Sequence, residues 1–310
     1  MGTSTKKTGL ELSLARLNKY KYLYLMLIPG LVFYAMFKYA PMGGIVIAFK
    51  DFNPFRGLWG SRWVGLNNFY KVFNSPDFLI IFRNTLSISG LKILFGFPMP
   101  IILALLLNEM RIRNFKRIVQ TTIYLPHFIS WAVVGTIFLS IFSPTYGFIP
   151  KFFEIFTGER VNFIASRKYF VPLLIVSDVW KTCGWGTILY LAALTSIDPT
   201  LYEAATVDGA GRWQKIWHIT LPGLKSIIVV QLIMRFGWIM DAGFEQILIM
   251  QNPVVLGVSD IFDTYVYRVG LAGGQYSVTS AVDVFKSVVG LIMIIALDRI
   301  CKAMGEDGIL

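Results

Sequence analysis

Long apolar runs set the pattern of this chain, in place of the strict alternation of a half-buried strand or the one-sided stripe of a soluble helix. A helix needs about 20 mostly apolar residues to cross a bilayer. Six segments approach that length: Tyr22–Tyr39, Phe78–Leu107, Ile118–Phe142, Tyr169–Leu194, Ser226–Ile249 and Ser277–Ile300. All six predict helices, because a segment in lipid must satisfy its backbone internally. The second is long for one crossing and carries Arg83, Lys92, Pro98 and Pro100, so it is expected to tilt or kink. The expected fold class is all-α: a polytopic bundle of about six transmembrane helices.

Cations orient the bundle. One set of segments holds Lys6, Lys7, Arg16, Lys19 and Lys21; Arg111, Arg113, Lys116 and Arg117; Arg212, Lys215 and Lys225; and Arg299 and Lys302, fourteen in all. The opposite loops are longer but hold nine: Lys50, Arg56, Arg62, Lys71, Lys151, Arg160, Arg167, Lys168 and Arg268. Excess Lys and Arg mark the cytoplasmic side, which places both termini there. Residues 1–21 form a cytoplasmic tail and residues 22–310 the transmembrane domain. The basic start followed by an apolar run is read as a retained anchor rather than a cleaved leader. The run has span length and ends in Tyr39-Ala40-Pro41-Met42-Gly43-Gly44 without a clear small-x-small site.

Composition sharpens the class. Of 310 residues, 55% are hydrophobic and 15% charged, against about 45–50% and about 25% in soluble domains. The mean hydropathy is +0.61. A soluble enzyme, a disordered tail protein and a disulfide-stapled module are excluded. The net charge of +11 belongs to cytoplasmic loop retention, and no nucleic-acid partner is implied. Cys183 and Cys301 lie far apart in apolar surroundings and predict neither a disulfide nor a metal cluster.

The cytoplasmic segment from Thr195 to Lys225 is more structured than a connector requires. Asp198-Pro199 reads as a helix start, Asp accepting from free amides and Pro suiting the first helical position. The helix carries Glu203, Ala204 and Ala205 and ends at Asp208-Gly209. A second stretch, Arg212 to Ile219, is expected to stop before Pro222. The product is a helix–turn–helix knob suited to docking in a groove.

Glu203-Ala204-Ala205, Gly209, Ile219 and Leu221-Pro222, at their spacing, resemble the EAA loop of binding-protein-dependent ABC importer permeases. Val64-Gly65-Leu66-Asn67-Asn68-Phe69, Asn84-Thr85-Leu86, Leu125-Pro126 and the Phe142-to-Phe148 exit are similar to features of sugar permeases of the maltose-transporter type. Pro41-Met42-Gly43-Gly44 and Phe49-Lys50-Asp51-Phe52, with the basic N-terminus, most resemble the polysaccharide or oligosaccharide (LplB-like) branch. The extra spans and large external domain of the enteric maltose permease subunit are missing here, so nothing located there transfers. The resemblance implies a type I importer permease in a bacterial cytoplasmic membrane, among lipid. Its partners would be a second homologous permease subunit, an ATPase dimer and an extracellular or periplasmic solute-binding protein. The chain itself would carry no cofactor, and ATP and Mg would be bound by the ATPase. Coupling would fall to Glu203 as a charge contact, Ala204 and Ala205 as close-packing positions, Asp208 and Gly209 as the turn, with Ile219, Leu221 and Pro222 completing the motif.

Polar residues within the spans suggest a path for the passenger. Gln231, Arg235, Trp238 and Glu245 fall on one face of the fifth span, and Asp178, Lys181, Thr182 and Trp185 on one face of the fourth, with Trp180 and Tyr190 nearby. The sixth offers Asp283, Lys286, Ser287 and Gly290. A structural alternative stays open: Asp178–Lys181 and Asp283–Lys286 could neutralise each other at i,i+3, and the aromatics could belong to interfacial belts. His127 and His218 show no metal-ligand spacing, and no phosphate-binding GxxxxGK[ST] loop is present. A lone six-span channel or carrier would leave the EAA loop unexplained, and an intramembrane enzyme would need convergent catalytic groups that the chain does not offer. A permease for amino acids or metals remains the weaker alternative within the importer class.

Overall fold

The structure, a computed structural model, describes residues 19–303; the tail cations Lys6, Lys7 and Arg16 lie outside the described residues. The chain begins with α1 (Lys21–Tyr34), which runs through a π-turn and a 3-10 turn to Phe49. A small hairpin, β1 (Lys50–Asp51) against β2 (Arg62–Trp63), and α2 (Asn67–Phe73) follow. Helices α3 (Phe78–Gly96) and α4 (Pro98–Glu109) together make one rod of 32 residues, its joint at Phe97 beside the two prolines. Next come α5 (Arg113–Phe128), α6 (Trp131–Ile141), α7 (Phe148–Thr157) and α8 (Phe170–Leu194). The cytoplasmic loop holds α9 (Pro199–Val207) and α10 (Arg212–Lys215). The remaining long elements are α11 (Leu221–Gly237), α12 (Phe244–Met250) and α13 (Tyr276–Ala303).

Among the described residues, four helical rods are long and apolar enough to cross a membrane: Lys21–Phe49, Phe78–Glu109, Arg212–Gly237 and Tyr276–Ala303. The pair α5 and α6 adds a fifth if counted as one span, but it bends by 102°. The continuous third span expected over Ile118–Phe142 is therefore corrected to two helices. Pro126 lies in the last turn of α5, Ile129 is extended, and the Ser130 hydroxyl accepts from the Val133 N–H to start α6. The expected fourth span is found as α8. At 25 residues it is about 37 Å long, enough to cross. It is too polar to stand alone in lipid, and Phe170, Leu174, Ser177, Asp178, Lys181, Gly184, Thr187 and Tyr190 are buried along it. It is the central post, with α3, α4, α5 and α11 packed around it.

The fifth span also differs from expectation. The stretch from Arg212 does not stop before Pro222; it continues through a π-turn, Ile216–Thr220, into α11. That wider turn accommodates a residue with no N–H to give and a ring that would strike the preceding carbonyl. A π-turn over Ala35–Tyr39 precedes Pro41 in the same way. At the other end, the helix expected to reach Ile249 breaks after Gly237. Residues 238–243 leave the helix, Gly243 takes φ of 93°, and α12 starts afresh.

Three apolar clusters hold the bundle. Ala48, Ile81, Phe262 and Ala281 centre one; Ile88, Leu174, Ile247 and Ile261 the second; Ala104, Tyr190 and Leu224 the third, near the cytoplasmic end. Cys183 and Cys301 are both free. The tightest approach is at Gly184, where an added Cβ would overlap the backbone carbonyl of Ile123 on α5. Gly184→Val is expected to push α5 from α8 and cost about 1–3 kcal/mol. A thermal-unfolding midpoint equal to the parent's, in the detergent-purified assembly, would contradict this packing.

Candidate functional site

Two sites emerge, one cytoplasmic and one within the bundle. At the cytoplasmic site the Asp198 carboxylate accepts from the Thr200 N–H at 2.9 Å and caps α9. That backbone N–H, and then the Thr200 hydroxyl, hold the carboxyl below the usual carboxylate range. The cap is complete above the ordinary Asp range and is lost as pH falls through the lowered value. At the far end, the Ala210 N–H donates to the Ala205 carbonyl at 2.8 Å, and Gly209 supplies φ of 77°. The Gly211 N–H then donates to Gln214 Oε1 at 2.7 Å and starts α10.

Two side-chain links fix the elbow. Lys215 Nζ donates to Thr206 Oγ1 at 2.7 Å, and the hydroxyls of Tyr202 and Thr220 lie 3.0 Å apart. Its base is tied to the bundle at Gly223, where an added Cβ would sit 2.7 Å from Ile197 Cδ1. Glu203, Ala204 and Asp208 are exposed, Ala205, Ile219 and Leu221 are half-buried, and Pro222 is exposed. Apolar groups also stand in the open: Val207 is 89% exposed and Trp213 76%, and Leu201 and Trp217 are exposed as well. A rigid elbow with an uncovered apolar tip has the form suited to docking.

The second site is a cavity of about 430 Å³ between α4, α5, α8 and α11. Thr182, Trp185, Tyr190, Gln231, Arg235 and Trp238 all line it, together with His127. The His127 ring stacks on the Trp185 indole, 4.6 Å between centroids. Arg235 is the one charged side chain lining it, and among the described residues its guanidinium enters no hydrogen bond or ion pair. A neighbouring cavity of about 250 Å³ shares Arg235 and Trp238 and adds Ser89, Lys92, Asp178 and Asp241.

Both helix breaks border these cavities, and a lysine serves each. Lys181 Nζ donates to the carbonyls of His127 and Ile129 at 2.9 and 2.6 Å and approaches that of Pro126 at 3.4 Å, covering the end of α5. Lys92 Nζ donates to the Ala242 carbonyl at 2.8 Å and to Gln246 Oε1 at 2.5 Å, and pairs with Asp178 at 3.1 Å. Gln246 completes the network by donating to the Leu174 carbonyl and to Ser177 Oγ. Lys181 suits the C-terminus of α5 because the free carbonyls there carry partial negative charge, whereas Lys92 serves a carbonyl inside the non-helical stretch just ahead of α12.

Of the predicted path residues, Trp185, Tyr190, Gln231, Arg235 and Trp238 converge on one cavity and Asp178 borders its neighbour. Trp180 packs against Phe138, 5.7 Å between ring centroids, and Lys181 is consumed by carbonyls; neither lines the two cavities. Glu245 leaves the fifth-span face, because the break at 238–243 puts it on α12. Asp178 pairs with Lys92 rather than Lys181, and Lys286 with Asp263 rather than Asp283. Periodicity does not point to the cavity roles of Lys92, Gln246 and Asp241. The available signal was a lysine in the middle of an apolar run, which requires a buried partner. Among the described residues no cluster of metal-ligating side chains occurs.

Comparison with known proteins gives consistent likenesses. Residues 96–304 match the family described as binding-protein-dependent transport system inner membrane component. The chain is 48% identical to the polygalacturonan/rhamnogalacturonan transport system permease protein YteP of Bacillus subtilis (strain 168), over 98% of this chain and 95% of that one. Protein LplB of the same organism is 48% identical over 96% and 93%. A subunit in the crystal structure of a bacterial ABC transporter involved in the import of the acidic polysaccharide alginate superposes with a TM-score of 0.87 at 38% identity, covering 94% of this chain and 99% of that one. A second structure of that alginate transporter, in complex with an alginate pentasaccharide-bound periplasmic protein, matches with a TM-score of 0.87 at 38% identity, over 95% and 99%.

The lysine network makes a measurable demand. Lys92→Met strands the Asp178 carboxylate and the Ala242 carbonyl, and is expected to cost about 3–5 kcal/mol. Adding Asp178→Leu should recover most of the lost unfolding temperature of the purified assembly. Failure of the second change to recover any would show that the pair is not the source.

Proposed function

The chain belongs to the binding-protein-dependent transport system inner membrane components, and we propose that its cavity gives passage to an acidic oligosaccharide. It is a permease subunit of an ABC importer for saccharides, not an enzyme, and resides in the bacterial cytoplasmic membrane. The proposed passenger is a uronate-containing fragment. One observation carries this: Arg235, unpaired, is the sole charge lining a cavity walled by Trp185, Trp238 and Tyr190. A guanidinium inside a membrane domain is costly unless it faces water or a partner, and its planar fork suits a carboxylate. The indole faces offer flat apolar surface to sugar rings, while Gln231 and Thr182 offer hydrogen bonds. The relatives handling polygalacturonan, rhamnogalacturonan and alginate support the same chemistry.

Around this chain the proposed assembly has a second, homologous permease subunit, two ATPase subunits that bind ATP and Mg, and an external solute-binding protein. The alginate transporter's complex with its periplasmic protein supports the last of these. The elbow of α9 and α10 would sit in an ATPase cleft. Glu203 would contribute a charge contact, Ala204 and Ala205 a close approach, and Asp208 and Gly209 the turn, while Ile219, Leu221 and Pro222 join it to α11. Closure of the ATPase pair would displace the elbow, and a lever works only if its contacts differ between the two states.

Two measurements test this reading. Arg235→Gln should lower uptake of an oligogalacturonide by about tenfold, the scale of one charge-assisted contact, with Arg235→Lys intermediate. Unchanged uptake by Arg235→Gln in reconstituted transporter would remove the acidic-passenger assignment. Gly209→Val forces a branched side chain into the left-handed region. It should abolish uptake while leaving assembly and basal ATP hydrolysis, and normal uptake would remove the coupling role.

A further inference from the structure

Helix α7 lies outside both sites, on the external side between α6 and α8. Its ten residues, Phe148–Thr157, place Phe148, Phe152, Ile155 and Phe156 within an arc of about 100°. All four are exposed, Ile155 at 78% and Phe156 at 73%. The opposite face is fixed to the protein. Pro150 is buried, and Phe153 packs on the buried Phe163, which also touches Phe142 and Tyr169. Arg160 closes the segment, donating to the Thr145 carbonyl at 3.0 Å with Glu154 at 3.8 Å, and Gly158 ends the helix at φ of 74°. The aromatic face is thus held outward by rigid packing.

Two observations say what covers it. The helix that precedes it, α6, also carries exposed apolar side chains at Val133, Ile137 and Ile141, four residues apart along one face. Its border carries a cation: Lys151 is exposed at the edge of the apolar arc, where its stem can lie along Phe148 and Ile155 with the ammonium beyond. Aromatic and aliphatic groups edged by a cation are the composition of a helix lying in a membrane interface. We propose that α7 is a foot resting in the outer leaflet, with Phe148, Phe152, Ile155 and Phe156 among the upper acyl chains and Lys151 at lipid phosphates. It steadies the external end of α6, and through Phe163 and Tyr169 the start of α8.

The test uses the full transporter, with its accompanying subunits, in nanodiscs of phosphatidylethanolamine and phosphatidylglycerol. Nitroxides are attached at Phe152→Cys, Phe156→Cys and the loop control Glu159→Cys, in a background with Cys183→Ser, Cys301→Ser and the other subunits' thiols removed. Collisions with oxygen should exceed those with a water-soluble nickel chelate severalfold at 152 and 156, and the order should reverse at 159. Nickel-dominated collisions at 152 and 156 would place the face in water and overturn the proposal. Shielding from both reagents would show a protein covering it, and would also overturn it. In the otherwise native chain, a benzophenone amino acid at position 156 should yield phospholipid adducts on illumination; adducts to protein alone would count against it.

Discussion

Two ammonium groups decide the interior of this protein. A membrane helix that breaks releases carbonyls, and lipid offers them no donors. Lys181 takes those at the end of α5, and Lys92 takes Ala242 at the break after α11. Each lysine comes from a neighbouring helix, so each break is closed by a tertiary contact and not by its own strand of sequence. The breaks turn the chain aside, and the space they leave is lined by His127, Trp185, Arg235 and Trp238. Asp178 balances Lys92, which leaves Arg235 as the free charge facing that space.

The same geometry joins the cavity to the cytoplasm. Because the helix does not stop at Pro222, Arg212–Gly237 is one rod of 26 residues, about 39 Å long. Its cytoplasmic end is locked to α9 by Lys215–Thr206 and Tyr202–Thr220, and its inner end presents Gln231 and Arg235. A displacement of the elbow therefore reaches the cavity wall without crossing a joint other than the π-turn at Ile216–Thr220, which is the natural place for the rod to flex.

Much of this was legible in the residues. Four rods and the elbow follow from apolar length and the Asp198 and Gly209 signals. Gln231, Arg235 and Trp238 fall on one face at the end of α11 and Thr182 and Trp185 on one face of α8, and together with Tyr190 they meet in one cavity. The departures have physical causes. Apolar runs do not report a break whose carbonyls are satisfied from another helix, so the pattern runs unbroken through Ile129 and residues 238–243 and carries Glu245 onto a face it does not occupy. Charges at i,i+3 look paired in sequence, yet burial favours partners across helices: Lys92 for Asp178, Asp263 for Lys286. Proline reads as a stop because periodicity cannot show a π-turn that accommodates it.

The most direct measurement is photocrosslinking of the passenger during transport. An oligogalacturonide carrying a diazirine, delivered by the solute-binding protein to the reconstituted importer and trapped mid-cycle, is expected to label peptides containing Trp185 and Trp238 of this chain. Labelling confined to the other permease subunit, with none on this chain's cavity, would contradict the assignment.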